Sequence, residues 1–128
     1  MLKRFLIYGS IGITLEILWT GITAFFGGDL SFTGHSSVIM FPIYGSVLFL
    51  EPVFVQLKAN NILLRGIIYM SLIFAVEYWS GLFLTFLRIC PWSYIDTTYN
   101  IRGLIRLDYA PLWFCAGLFY EHLYKRIL

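Results

Sequence analysis

Two glutamates, Glu16 and Glu77, stand near the middle of long apolar stretches in this 128-residue chain. A carboxylate near the centre of a hydrocarbon slab costs at least a few kcal/mol, so it is normally turned inward, paired, and tied to function. Two carboxylates at similar depth cannot both ionise cheaply: one holds a proton, or the pair shares a cation. Both glutamates are therefore expected to face the interior, close enough to be coupled directly or through a hydroxyl. That is the chemistry of an ion or proton site. A polar cavity for an organic ligand fits the same residues, and so does plain interhelical bonding to Trp19, Trp79, Thr20 or Ser80.

Glu51 and Glu121 lie toward the far ends of two further apolar stretches, where Lys58 or Lys125 could form interfacial ion pairs with them. The two histidines, His35 and His122, belong at opposite membrane faces, so no two-histidine metal site is expected within one subunit. Cys90 and Cys115 make no metal constellation and read as two free thiols, the second in a packed interior. The chain has no Walker sequence, no Gly-x-Ser-x-Gly elbow and no His-Glu-x-x-His. No catalytic residue, metal or cofactor is announced, although catalysis is not excluded.

The elements that must position these glutamates follow from composition. Hydrophobic residues make up 59% of the chain and charged ones 12%, against about 25% charged in a soluble protein. The fold class is an all-α, integral membrane four-helix bundle forming one domain over residues 1–128. Its spans are expected at about 2–26, 37–57, 62–87 and 109–124, each near the length needed to cross about 30 Å of hydrocarbon. The net charge of +2 is too small to imply nucleic acid. In a four-pass layout Lys3, Arg4, Lys58, Arg65, Lys125 and Arg126 fall on one side, and Arg88, Arg102 and Arg106 on the other. The positive-inside rule then makes both termini cytoplasmic, in a cell membrane. The first stretch is too long for a signal peptide, contains Glu16 and lacks a small-x-small cleavage site, so it reads as an uncleaved span.

Gly9, Gly12, Glu16, Thr20 and Thr23 recur at helical spacing and form one small, polar stripe; Gly66, Glu77, Gly81, Thr85 and Arg88 repeat it. Glu16-x-x-Trp19-Thr20-Gly21 resembles Glu77-Tyr78-Trp79-Ser80-Gly81, and Phe41-Pro42-Ile43-Tyr44 resembles Ala110-Pro111-Leu112-Trp113. A duplication of this kind would give two parallel-repeated helical hairpins. Pro42 and Pro52 free the carbonyls of Val38 and Leu48, interrupting the second stretch. Ser36 or Ser37 can cap its helix. In the third connection Arg102 and Arg106 stand four apart, opposite Ile101, Leu104 and Ile105, which suggests a short interfacial helix.

Ser37-Val38-Ile39-Met40-Phe41-Pro42-Ile43-Tyr44-Gly45, Glu77 with Gly81, Cys90-Pro91-Trp92-Ser93-Tyr94, Gly103 to Ala110 and Trp113-Phe114-Cys115 together carry a family resemblance. From about Gly9 to Glu121 the chain resembles the bacterial putative ABC-transporter type IV family, which also contains the eukaryotic transmembrane protein 229 group. The resemblance implies a four-span membrane protein; the transporter label is an inherited name, and active transport would need a separate ATPase subunit. Family sequences resembling this one often have Asp where Ser93 stands, so a carboxylate needed there would have to come from Asp96.

The expected function is a small permease or channel-like component moving an ion or small polar solute past Glu16 and Glu77, as a homo-oligomer. Trp19, Trp79, Tyr44 and Trp113 are counted with that site. A second reading is a lipid or small-ligand binding protein, or a lipid-modifying enzyme, that uses Trp92, Tyr94, Asn100, Arg102 and Arg106 to hold an anionic head group. A third is a structural partner subunit. Membrane lipids are partners in every case.

Overall fold

The computed structural model describes residues 1–126 and is mostly helical. Two compact units divide it, Met1–Leu50 and Glu51–Leu128.

In the first unit, helix α1 runs from Leu2 to Phe26, an uninterrupted 25 residues or about 37 Å. Its four buried residues are Tyr8, Gly9, Gly12 and Gly21, while Leu2, Leu18 and Phe26 are exposed, the last by 81%. Glycine inside and leucine outside inverts the arrangement of a water-soluble helix. The inversion suits lipid, where small residues let a neighbouring segment approach and large apolar ones meet acyl chains. Helix α2 (Met40–Gly45) lies along this glycine face. A Cβ on Gly9 would stand 2.8 Å from the Phe41 ring, and one on Gly12 would overlap Tyr44.

The second apolar stretch is not the continuous helix expected over residues 37–57. It begins at Met40, gives way to a 3-10 segment over Ser46–Leu50, and resumes as helix α3 (Glu51–Gln56). The cause is local: Ser46 turns its hydroxyl back on the Ile43 carbonyl, and Pro52 removes the N–H that would have bonded the Leu48 carbonyl. Ser37 accepts the Ile39 N–H at 3.3 Å, whereas Ser36 points elsewhere and caps nothing.

In the second unit, helix α4 (Ile62–Phe86) starts where Asn61 accepts the Leu64 N–H at 2.8 Å. It packs against helix α5 (Ala110–Arg126). Here too glycines receive aromatic rings: Phe114 lies on Gly66, and Tyr69 on Gly117.

Residues 100–106 are a β-hairpin, not the interfacial helix expected from the arginine spacing. Strands β1 (Asn100–Ile101) and β2 (Ile105–Arg106) pair antiparallel, Asn100 with Arg106 and Ile101 with Ile105. Arg102 and Gly103 both take positive φ, 55° and 70°, and the Leu104 N–H closes the turn on the Ile101 carbonyl at 3.0 Å. Two consecutive left-handed residues reverse the chain and end any helix. Asn100 locks the turn, accepting the Gly103 N–H at 2.9 Å and donating to the Thr97 carbonyl at 2.6 Å.

Candidate functional site

Glu16 lies about 15 Å from the Phe26 end of α1 at 1.5 Å rise per residue. The chain after Phe26 does not continue away from that helix; it turns back along it. Asp29 accepts the N–H groups of Ser31 and Thr33, each at 3.0 Å, and these bonds hold its carboxyl below the ordinary aspartate range. Phe32 stacks on Phe25 at 4.2 Å. Further along, the Phe32 carbonyl covers Gly21, the Thr20 hydroxyl accepts the His35 N–H at 2.8 Å, and Gly34 is pressed on the Ile17 carbonyl. This irregular backbone reaches the level of Glu16, whose Oε2 accepts from Ser36 Oγ at 2.7 Å and from Tyr44 Oη at 3.0 Å. The glycine at position 12 makes the second contact geometrically possible, because the Tyr44 ring occupies the space a Cβ would fill.

Of the expected partners of Glu16, Thr20 reaches its backbone carbonyl, at 2.9 Å, and not its carboxylate, and Trp19 is exposed. Glu77, on α4 of the second unit, is half-buried with its Oε1 withdrawn from solvent. The Ser80 hydroxyl bonds backward to the Val76 carbonyl at 2.6 Å. Trp79 is 66% exposed and meets Tyr78 edge-on.

The residues of the third connection come together around two jobs. Trp92 lies against Gly81 and donates its indole N–H to the Leu104 carbonyl at 2.9 Å, while the Tyr94 N–H bonds the Gly103 carbonyl at 2.9 Å. Trp92, Tyr94 and Asn100 thus build the hairpin and fasten it to α4. Tyr94, Tyr109 and Trp113 form an edge-to-face aromatic row, with the Arg106 guanidinium 4.5 Å above the Tyr109 ring. The Trp113 indole nitrogen is buried and makes no hydrogen bond among the described residues.

Arg106 is committed to Asp108 through two bonds of 2.8 Å, and Arg102 sits exposed at the hairpin turn. The charge-assisted bonds from Arg106 hold the Asp108 carboxyl below its ordinary 3.8. A depressed carboxylate contributes its stabilisation above the unfolded value and loses it as pH falls through the lower folded one. NMR titration of Asp108 is expected to give a midpoint below 3.8, moving back toward 3.8 in Arg106→Gln. A midpoint indifferent to that substitution would show that the pair does not set it.

A second carboxylate site, of which the sequence suggested only an ion pair with Lys125, occupies the other end of α5. Glu121 is only 4% exposed. Its Oε2 accepts from Arg65 Nε at 3.0 Å and from the hydroxyl of Tyr69, while Lys125 reaches Oε1 at 3.4 Å. Arg65 also donates to the Asn60 carbonyl at 2.7 Å, tying the turn before α4 into the network. The Lys125 contact was legible as a four-residue spacing; Arg65 and Tyr69, one turn apart on α4, were not linked to Glu121 by any local signal. Both cysteines are free thiols, but Cys115 is exposed, not in the packed interior expected for it. On α5 the buried positions are Gly117, Tyr120, Glu121 and Leu123, which leaves Cys115 on the opposite face.

Two 25-residue helices, each burying glycines, are long and apolar enough to cross a bilayer, as suits a helical membrane protein. The chain belongs to the family described as putative ABC-transporter type IV, whose family model matches residues 4–128. No solved structure matches it.

Proposed function

We propose that the protein is a small permease or channel-like component of an ABC-transporter-related system, moving an ion or small polar solute with Glu16 in its path. The observation that carries this reading is the backbone from Gly27 to Ile39, which is irregular and folds beside α1 to the depth of Glu16. In a hydrocarbon slab, non-helical backbone is tolerated only where protein covers it or where it lines a watery cavity. Here it delivers the Ser36 hydroxyl to a carboxylate that also takes Tyr44 from α2. The broken second segment, with a 3-10 stretch ahead of Glu51, adds a further interruption of the kind found where transporters bind their cargo.

The same reading places four passes in a cell membrane with both termini cytoplasmic, the copies assembled as a homo-oligomer and energised by a separate ATPase subunit. Glu77 is proposed to serve the same chemistry within the second unit. Two parallel-repeated hairpins are consistent with an aromatic-on-glycine contact in each unit, Tyr44 on Gly12 and Phe114 on Gly66.

Proteoliposomes with entrapped proton-sensitive and alkali-ion-sensitive dyes test it. The full-length protein is expected to support flux above empty vesicles, and Glu16→Gln and Glu77→Gln each to lower it at least about ten-fold while the fold is retained, because the amide still hydrogen-bonds but cannot carry the charge. Unaltered flux in the double Gln variant would overturn the reading.

A further inference from the structure

We propose that Glu16, Ser36 and Tyr44 form a binding site for one alkali-metal cation. The inference rests on the reading of Glu16 as the centre of the transport path and names the species bound there.

The charge inventory argues for a single positive charge. The charged or titratable side chains of the first unit other than tyrosines are Lys3, Arg4, Glu16, Asp29 and His35. Lys3 and Arg4 stand about 18 Å or more from Glu16 along α1. Asp29 is occupied by the N–H groups of its own loop. His35 is exposed, and its backbone bonds to Thr20. Among the described residues the Glu16 carboxylate meets two neutral hydroxyls and no cation. A half-buried carboxylate with only neutral partners is balanced by one positive charge. A divalent ion would leave an excess charge on a single carboxylate.

The ligand chemistry argues for a metal ion over a proton. Ser36 Oγ and Tyr44 Oη lie 2.7 and 3.0 Å from the same carboxylate oxygen. Each hydroxyl donates one hydrogen and keeps lone pairs. Carboxylate and hydroxyl oxygens converging from three different segments are a hard-cation donor set. A proton would use the carboxylate and a single acceptor, whereas a metal ion uses all three oxygens. The packing argues for an ion over an organic ammonium: the Tyr44 ring fills the space over Gly12, and the Gly34 backbone is pressed on Ile17 one residue from Glu16.

The test is thermal unfolding of the full-length protein in nanodiscs, with sodium or potassium chloride exchanged for choline chloride at constant ionic strength. The wild type is expected to show a saturable rise in midpoint with one or both alkali ions. The apparent affinity should weaken at least ten-fold in Glu16→Gln and several-fold in Tyr44→Phe. Ser71→Ala, which removes only a local backbone bond on α4, should keep the wild-type apparent affinity.

No saturable alkali effect, a response to pH alone, or an effect the same size in Glu16→Gln overturns the proposal. Should Glu16→Gln fail to fold, the Ser36→Ala/Tyr44→Phe double variant decides, since it keeps the carboxylate; unchanged affinity there overturns the proposal too. Dye flux separates this from the transport reading. Flux lost in Glu16→Gln with no alkali-dependent stability sinks the cation site alone, and alkali binding without any flux supports the site while sinking the transport reading.

Discussion

Replacing Glu121 with Leu is expected to cost the protein about 3–5 kcal/mol, the usual penalty for removing one partner of a buried ion pair. Three groups lose their acceptor at once. Tyr69 is fully buried, so its hydroxyl is stranded away from water. Arg65, with a side chain 18% exposed, keeps only the Asn60 carbonyl. Lys125 is the least affected, because at 38% exposure it turns to solvent. Glu121→Gln should cost far less, since its amide oxygen still accepts from Tyr69 and Arg65. Tyr69→Phe should cost about 1 kcal/mol, the net worth of an ordinary hydrogen bond. Thermal and chemical unfolding in one detergent would rank the three variants. A Leu variant as stable as the Gln variant would mean that the network adds no stability and that α4 and α5 are held by the Gly66 and Gly117 contacts alone.

Gly34→Ala is expected to separate the returning loop from α1. The added Cβ would collide with the Ile17 carbonyl, which belongs to the middle of a helix and cannot move aside as a flexible side chain could. Overpacking of this kind costs about 1–3 kcal/mol and occasionally more. The larger effect is positional. Backing the loop away breaks the Thr20–His35 bond and lifts Ser36 from Glu16, so a one-carbon substitution two residues from Ser36 should remove a ligand of the carboxylate. Hydrogen exchange is the direct measurement, with the His35 amide expected to lose protection in Gly34→Ala and to keep it in Gly27→Ala, where φ is −86° and the nearest atom stands 3.4 Å from the added Cβ. Equal protection at His35 in both variants and the wild type would contradict this account of the loop.

Much of the helical frame was legible in the chain because it depends on local causes. The apolar runs mark α1 and α4, which span Leu2–Phe26 and Ile62–Phe86, within a residue or so of the stretches expected from hydrophobicity. Pro52 announced the lost bond at Leu48. The arginine spacing of 102 and 106 misled: a four-residue repeat signals a shared helical face only if the residues between stay right-handed, and Arg102 and Gly103 do not. Their left-handed geometry is sustained by the distant contacts of Trp92 with Gly81 and Leu104.

For the two carboxylates the division is sharper. That Glu16 needs partners follows from its place in an apolar run. That those partners are Ser36 and Tyr44, 20 and 28 residues away, is decided only when the loop folds back and the glycine at position 12 admits the tyrosine ring. Glu121, placed by its sequence at a wet interface, is instead buried on Tyr69, 52 residues distant. Backbone propensity and hydrophobic length are carried by neighbouring residues and can be summed along the chain. Which polar groups meet inside depends on which small residues let two segments close, and that is settled only by packing.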